Sequence, residues 1–121
     1  MLQRDEGEHP VPAAIRPLIK NIVDALATGD LLLAGLETAG VEAVRPPTAK
    51  QIAGAIEGYG DPLAPLNDAI WERSIYNWAG GERWDFLIDL TTSREAVSDL
   101  ALLLQVSGEP RAITVNSVHV P

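Results

Sequence analysis

The spacing of hydrophobic residues predicts an amphipathic helix near the start of the chain. Apolar side chains recur every three or four positions between Pro12 and Gly29, which is the period of one helical face. The residues of this stripe are Ile15, Leu18, Ile19, Ile22, Val23 and Leu26. Because a proline costs little only in a first turn, the regular helix is expected to begin close to Pro17. Residues 1–11 are charged and lack this pattern, which predicts a flexible N-terminal arm before a single domain over 12–121.

Two further helical segments are predicted before the strands. Asp30 can cap a short helix through residues 31–39, which the next glycine ends. The two adjacent prolines in 41–47 make that stretch a connector. Thr48 and Gln51 have capping-box spacing and predict a third helix, which Gly58 or Gly60 ends.

Alternating apolar residues predict that the second half of the chain is a β-sheet. The predicted strands are 69–78, 83–90, 98–107 and 111–120. Helices first and strands afterwards are typical of an α+β fold, here two to three N-terminal helices packed on one face of a four-stranded antiparallel β-meander.

The two central strands each carry an acid beside the loop that joins them. Side chains alternate along a strand, so pairing the two apolar sets places Ile88 opposite Leu100. The same register places Asp89 opposite Asp99 on the other face, which predicts that the two carboxylates are neighbours.

Two registers remain open for the first predicted hairpin. A two-residue Gly80–Gly81 turn pairs Ile75 with Phe86 and leaves Tyr76 on the outer face. A register shifted by one residue pairs Tyr76 with Phe86 and Trp78 with Trp84.

The last hairpin also has two alternatives. A two-residue Gly108–Glu109 turn sets Leu104 against Ile113 and keeps the core face apolar. A three-residue loop would put Asp99 opposite His119, which would suit acid–base chemistry but would place polar residues in the core row. The pattern favours the first alternative.

In the first-hairpin register with Ile75 opposite Phe86, Glu72 joins Asp89 and Asp99 in one row across three strands. The same outer face then carries Tyr76, Trp78, Leu87 and Leu103. Like charges opposite each other destabilise a sheet, so the row needs compensation. Three interpretations remain open. The row is a solvated surface whose charge Arg73, Arg83 or Arg94 compensates, or it is the acidic part of a protein-binding surface with aromatic anchors. In the third, the face is a pocket in which one carboxylate acts as a general base or binds a cation. The predicted partner-binding residues are Glu72, Tyr76, Trp78, Asp85, Asp89 and Asp99.

Composition narrows the classes of partner. The 121 residues include 17 acids and 9 bases, for a formal charge of −8, whereas nucleic-acid and anionic-membrane binders need a basic surface. A basic protein partner fits this charge. The sequence has no cysteine, which excludes a disulfide framework, and no apolar run long enough to span a membrane, so a cytoplasmic protein is predicted.

The sequence contains no recognisable catalytic motif. GDPLAP and AGGE lack the strand-to-helix setting of a phosphate loop, and no G-x-S-x-G motif occurs. His9 and His119 are far apart along the chain. We therefore predict no catalytic residue, no metal site and no cofactor, and favour a non-enzymatic protein.

Four short motifs lie along most of the chain: AIRPLIKNIVDALATGD (14–30), Trp84 followed by IDLTT, SDLALLLQV (98–106) and VHV (118–120). Together they resemble a group of small uncharacterised bacterial proteins common in actinobacteria. The association of such proteins with polymorphic-toxin loci implies an immunity role, namely neutralisation of a basic toxin or effector domain.

The helix ending ALATGD before an antiparallel sheet is also similar to the ketosteroid-isomerase-like cone domains. That resemblance implies an alternative function, a small-molecule-binding or enzymatic domain that uses Asp89, Asp99 or His119 in a sheet-lined pocket. A third interpretation is an accessory protein that forms a homodimer.

Overall fold

The computed structural model describes residues 2–108 and 111–121 and confirms the α+β class. Its antiparallel sheet has five strands rather than the predicted four, in the order β1-β2-β3-β4-β5. The strands are β1 (His9–Pro10), β2 (Ile75–Gly80), β3 (Arg83–Asp89), β4 (Ala101–Ser107) and β5 (Ala112–His119). The α-helices of the described residues are α1 (Arg16–Ala27) and α2 (Pro46–Tyr59), and 3₁₀ helices cover Ala34–Ala39 and Asp68–Glu72.

The helices follow the sequence pattern, with two differences at their ends. Helix α1 has proline in its first turn, as predicted, and buries one apolar face. Helix α2 begins at Pro46 instead of Thr48, because its prolines occupy the first two helical positions, where their missing N–H groups cost nothing. The short helix predicted over 31–39 is a 3₁₀ helix that begins at Ala34, after Leu33 adopts a left-handed conformation with φ of 53°.

The N-terminal segment lies along the sheet. Strand β1 pairs with the start of β2, and Val11 is only 1% exposed. The backbone N–H of Gln3 donates to the hydroxyl of Tyr76 at 3.0 Å, and the indole N–H of Trp84 donates to the Gln3 carbonyl at 2.9 Å. Part of the predicted arm, residues 9–11, therefore belongs to the packed domain.

The first predicted strand, 69–78, is a strand only in its second half. Asn67 caps the 3₁₀ helix Asp68–Glu72, because its side chain accepts a hydrogen bond from the N–H of Ala69 at 2.9 Å. The hydroxyl of Ser74 donates back to the carbonyl of Ile70 at 2.6 Å, which holds the turn closed. Strand β2 consequently begins at Ile75, and Glu72 lies outside the sheet.

The first hairpin adopts the shifted register. Tyr76 pairs with Phe86 and Trp78 with Trp84, so the register built on a Gly80–Gly81 turn is wrong. The pairing becomes irregular between Trp78 and Gly80, which places an extra residue in β2. The glycines adopt φ of +102° and +56°, which other residues rarely do.

The central hairpin keeps the predicted faces but not the predicted partners. Ile88 pairs with Leu102 instead of Leu100, a shift of two residues, so the apolar face is preserved. Asp89 faces Ala101, and the prediction that it lies opposite Asp99 is wrong.

The last hairpin follows neither predicted register. Leu104 pairs with Val115, and the predicted turn residue Glu109 lies outside the described residues. An irregularity at Asn116 then shifts the pairing by one residue, so that Val115 and Val118 both face the core, at 3% and 0% exposure. His119 pairs with Ala101, so the Asp99–His119 pair that we rejected is not formed.

The core lies between the helices and one face of the sheet. Phe86, Ile88, Leu102 and Leu104 are fully buried there, in one cluster with Ile22 and other side chains of the helices.

Side chains and loops cover the free edge of β5. The amide of Gln51 in α2 donates to the carbonyl of Val118 at 2.6 Å and accepts from its N–H at 3.2 Å. Near the other end of β5, Ile113 donates to the Gly40 carbonyl at 2.8 Å and accepts from the N–H of Glu42 at 2.8 Å. These bonds satisfy backbone groups that an edge strand would otherwise expose.

Candidate functional site

The face of the sheet that points away from the helices, which we call the open face, is the main candidate site. Cross-strand partners point to the same side of a sheet, so the observed registers define its members. They are Pro10, Ile75, Asn77, Arg83, Asp85, Leu87, Asp89, Ala101, Leu103, Gln105, Ser107, Ala112, Thr114, Ser117 and His119. The described helices contribute their buried side chains to the opposite face.

An apolar stripe crosses the centre of the open face. It consists of Pro10, Ile75, Leu87 and Leu103, which are direct cross-strand neighbours from β1 to β4. The two leucines and the isoleucine are half-buried and do not belong to the hydrophobic core cluster. A solvated sheet face normally carries polar side chains, so a row of apolar side chains in this position is unusual.

Polar residues flank the stripe on both sides. One flanking row contains Asn77, Asp85 and Gln105. The other row contains Asp89, and the Nε of Arg73 lies 3.5 Å from its Oδ2. An apolar centre with a polar rim is the usual composition of a protein-binding patch.

A cavity of about 520 Å³ opens at the corner of the open face where β3 ends. Its lining residues are Arg73, Asp89, Ser98, Asp99, Val120 and Pro121. Asp89 and Asp99 therefore meet at one cavity, although they are not cross-strand partners. The sequence predicted their proximity for an incorrect reason.

Hydrogen bonds fix the backbone around this cavity. The N–H of Asp89 donates to the buried hydroxyl of Ser74 at 3.0 Å. The N–H of Asp99 donates to the hydroxyl of Tyr59 at 3.1 Å, and that hydroxyl donates to Glu95 at 2.5 Å. The hydrogen bond to Glu95 is also the main reason that the pKa of Tyr59 is raised above its usual value.

Other predicted binding residues lie away from the open face. Tyr76 is 3% exposed and stacks on Phe86, with ring centroids 5.1 Å apart, on the core side of the sheet. Trp78 packs partly against the same core, and its indole N–H donates to the Gly81 carbonyl at 2.8 Å. The prediction that these two aromatic residues share a face with the acids is therefore wrong. Glu72 is exposed in a 3₁₀ helix, so the predicted row of three carboxylates is not formed.

The sequence interpretation missed the aliphatic part of the surface. Leu87 and Leu103 were placed on the outer face, but Ile75 was assigned to the core in the register that makes the acidic row. Arg73 was considered only as a general counter-charge. The shifted register, which the sequence left open, would have placed Ile75 on the outer face beside Leu87 and Leu103.

Other kinds of site find little support in the described part of the chain. Residues 2–108 and 111–121 contain no group of three or more histidine or carboxylate side chains placed to hold a metal ion. Within the same residues, no helix has the length and apolar character needed to cross a bilayer.

Fold and surface together define a small α+β domain in which helices cover one face of an antiparallel sheet and leave the other face available. A family model described as "Domain of unknown function (DUF7668)" matches residues 23–121, and the chain belongs to this family. No curated protein and no solved structure matches the chain.

Proposed function

We propose that this protein is a non-enzymatic binding protein that docks a basic protein partner on the open face of its sheet. The observation that carries the proposal is the apolar stripe of Ile75, Leu87 and Leu103, which lies outside the core cluster and between rows that contain Asp85 and Asp89. Partner side chains would cover the stripe, and the carboxylates at its borders would meet lysines and arginines.

The net charge of −8 supports a basic partner, because opposite charge accelerates association and disfavours acidic competitors. The motif resemblance described above supports the narrower proposal of an immunity protein that occludes a basic toxin or effector domain. In that case the protein acts by covering the partner's active surface and needs no catalytic group of its own.

The packing supports a binding protein over a ketosteroid-isomerase-like enzyme. A cone domain holds its ligand over the sheet face that the helices partly enclose. Here the central side chains of that face, including Phe86, Ile88 and Leu104, have 0% exposure.

The experiment that tests this proposal pairs the chain with the protein encoded by the neighbouring reading frame. We expect the two purified proteins to bind in a calorimetric titration, and we expect the affinity to fall as salt is raised. The double variant Leu87→Asn/Leu103→Asn is expected to weaken binding by at least about 30-fold, because hot-spot side chains contribute about 2 kcal/mol or more.

A matched control separates the stripe from general surface hydrophobicity. Leu32 is 47% exposed and precedes the first 3₁₀ helix, outside the strands of the sheet, so Leu32→Asn removes an exposed leucine that is not part of the stripe. Leu32→Asn should bind like the unmodified protein. Equal loss of affinity in the control and in the stripe variant, or a stripe variant that binds normally, would refute the open face as the docking surface.

A further inference from the structure

We propose that the cavity at the end of β3 binds the side chain of an arginine that projects from the partner protein. This inference rests on the proposed function, since it assigns one anchoring contact within the same surface. The cavity volume of about 520 Å³ is sufficient for a long side chain.

The carboxylate of Asp89 supplies the polar end of the cavity. Its Oδ2 is buried and accepts no hydrogen bond from any described residue. A buried acceptor without a donor is costly, so a ligand that donates to it gains more than one that meets a solvated carboxylate. Asp99 is exposed on the same lining and adds a second negative charge.

The carboxylate of Asp89 already lies close to a guanidinium group of the same protein, that of Arg73. The Nε of Arg73 lies 3.5 Å from Oδ2 of Asp89, beyond the usual hydrogen-bond range of about 2.7–3.2 Å. The Arg73 side chain is 73% exposed, so it can move away at little cost. The partner's arginine would take its place with better geometry.

The other side of the cavity suits the aliphatic part of the ligand. Val120 is 58% exposed, one of the two exposed large hydrophobic side chains among residues 2–108 and 111–121, and Pro121 lies beside it. The methylene groups of an arginine would cover this apolar surface while the charged end reaches Asp89.

Arginine fits the cavity better than lysine. Its planar guanidinium can donate two parallel hydrogen bonds to one carboxylate, whereas an ammonium group acts as a point charge. The main chain that carries the carboxylate is held in place, because the N–H of Asp89 donates to Ser74 and Ser74 in turn donates to Ile70.

The test is an NMR titration of the isotope-labelled full chain with Nα-acetyl-arginine amide, which needs no partner protein. We expect saturable chemical-shift changes at the amides of Asp89, Ser98, Asp99 and Val120. Nα-acetyl-lysine amide should bind more weakly. The variant Asp89→Asn should lower the affinity for the arginine probe by about tenfold.

Two further variants keep the result interpretable. Asp85→Asn removes the same charge from the same strand and face outside the cavity, and it should leave the affinity unchanged. Arg73→Gln should raise the affinity by about two- to fivefold, a gain that a damaged fold would not produce. The inference is overturned by shifts that do not saturate, by equal losses in Asp85→Asn and Asp89→Asn, by equal affinity for the lysine probe, or by unchanged affinity in Arg73→Gln.

Failure of this inference can be told apart from failure of the proposed function. If the stripe variant abolishes partner binding but the arginine probe does not bind, only the cavity assignment is wrong. If the probe binds in the cavity but the stripe variant binds the partner normally, the proposed docking surface is wrong.

Discussion

Tyr76 and Ile75 are adjacent in β2 but lie on opposite faces of the sheet, so substituting each one tests the register directly. In the observed register Tyr76 pairs with Phe86 and faces the core, while Ile75 pairs with Leu87 on the open face. A register shifted by one residue would exchange their environments. The pair Tyr76→Ala and Ile75→Ala therefore has opposite expected outcomes in the two registers.

The magnitudes follow from what each side chain contacts. Tyr76 is 3% exposed, stacks on Phe86 and faces the His9 ring at a centroid distance of 5.3 Å. Removing a buried aromatic side chain costs about 3–5 kcal/mol of unfolding free energy. Ile75 is half-buried and outside the core cluster, so its truncation should cost about 1 kcal/mol.

A milder variant isolates one contact of the tyrosine. Tyr76→Phe keeps the ring and removes the hydroxyl that accepts from the N–H of Gln3 at 3.0 Å. The loss of this hydrogen bond should cost about 1 kcal/mol. A loss near zero would mean that the N-terminal segment contributes little to stability at this point.

The assay is urea denaturation at equilibrium, followed by tryptophan fluorescence and circular dichroism. Stability differences should appear as shifts in the midpoint with an unchanged slope. The reasoning is refuted if Ile75→Ala destabilises the protein more than Tyr76→Ala does, because the isoleucine would then be the core residue.

Two further predictions concern the edge of the sheet and the loop after β3. Gln51→Ala removes both hydrogen bonds to Val118 and should lower the unfolding free energy by about 1–3 kcal/mol in the same urea assay. The control Lys50→Ala, at the exposed neighbouring position, should change the stability little. Equal effects of the two variants would argue that Gln51 does not cap the edge of the sheet. The hydroxyl of Ser93 and the N–H of Arg94 donate to the Asp61 carboxylate and hold its pKa below the ordinary value of 3.8. The ionised carboxylate therefore stabilises the folded state above pH 3.8, and this stabilisation is lost as the pH falls through the lower pKa of the folded state. The difference in melting temperature between the unmodified protein and Asp61→Asn should therefore be constant near neutral pH and shrink at acidic pH, and a difference that grows in acid would contradict this.

Local patterns predicted the helices well because the signals lie within a few residues. The apolar period around Ile22 and the glycine after the helix determine α1 without reference to the rest of the chain. The prolines were harder to interpret. They were taken to end a connector, yet they begin α2, because proline both disfavours a continuing helix and suits a first turn.

The candidate site was predicted less well because it depends on pairing between strands. A shift of one residue moved Tyr76 from the surface to the core and Ile75 in the opposite direction. A shift of two residues kept the faces of β3 and β4 but placed Ala101, rather than Asp99, opposite Asp89. In the central hairpin the alternation of side chains fixed which faces pair but not which partner on that face is used, and in the first hairpin it left both faces open.

The sequence by itself determined the α+β class, the identity of the core face of β3 and β4, and the acidic character of the protein. These properties depend on composition and on periodicity along one segment. Only the tertiary structure decided that β1 joins the sheet, that irregular pairings near Ala79 and Asn116 reset the registers, and that an aliphatic stripe lies on the open face. The physical reason is that these features arise from hydrogen bonds between residues distant in sequence, where bulges and side-chain caps choose among pairings that the local pattern allows equally.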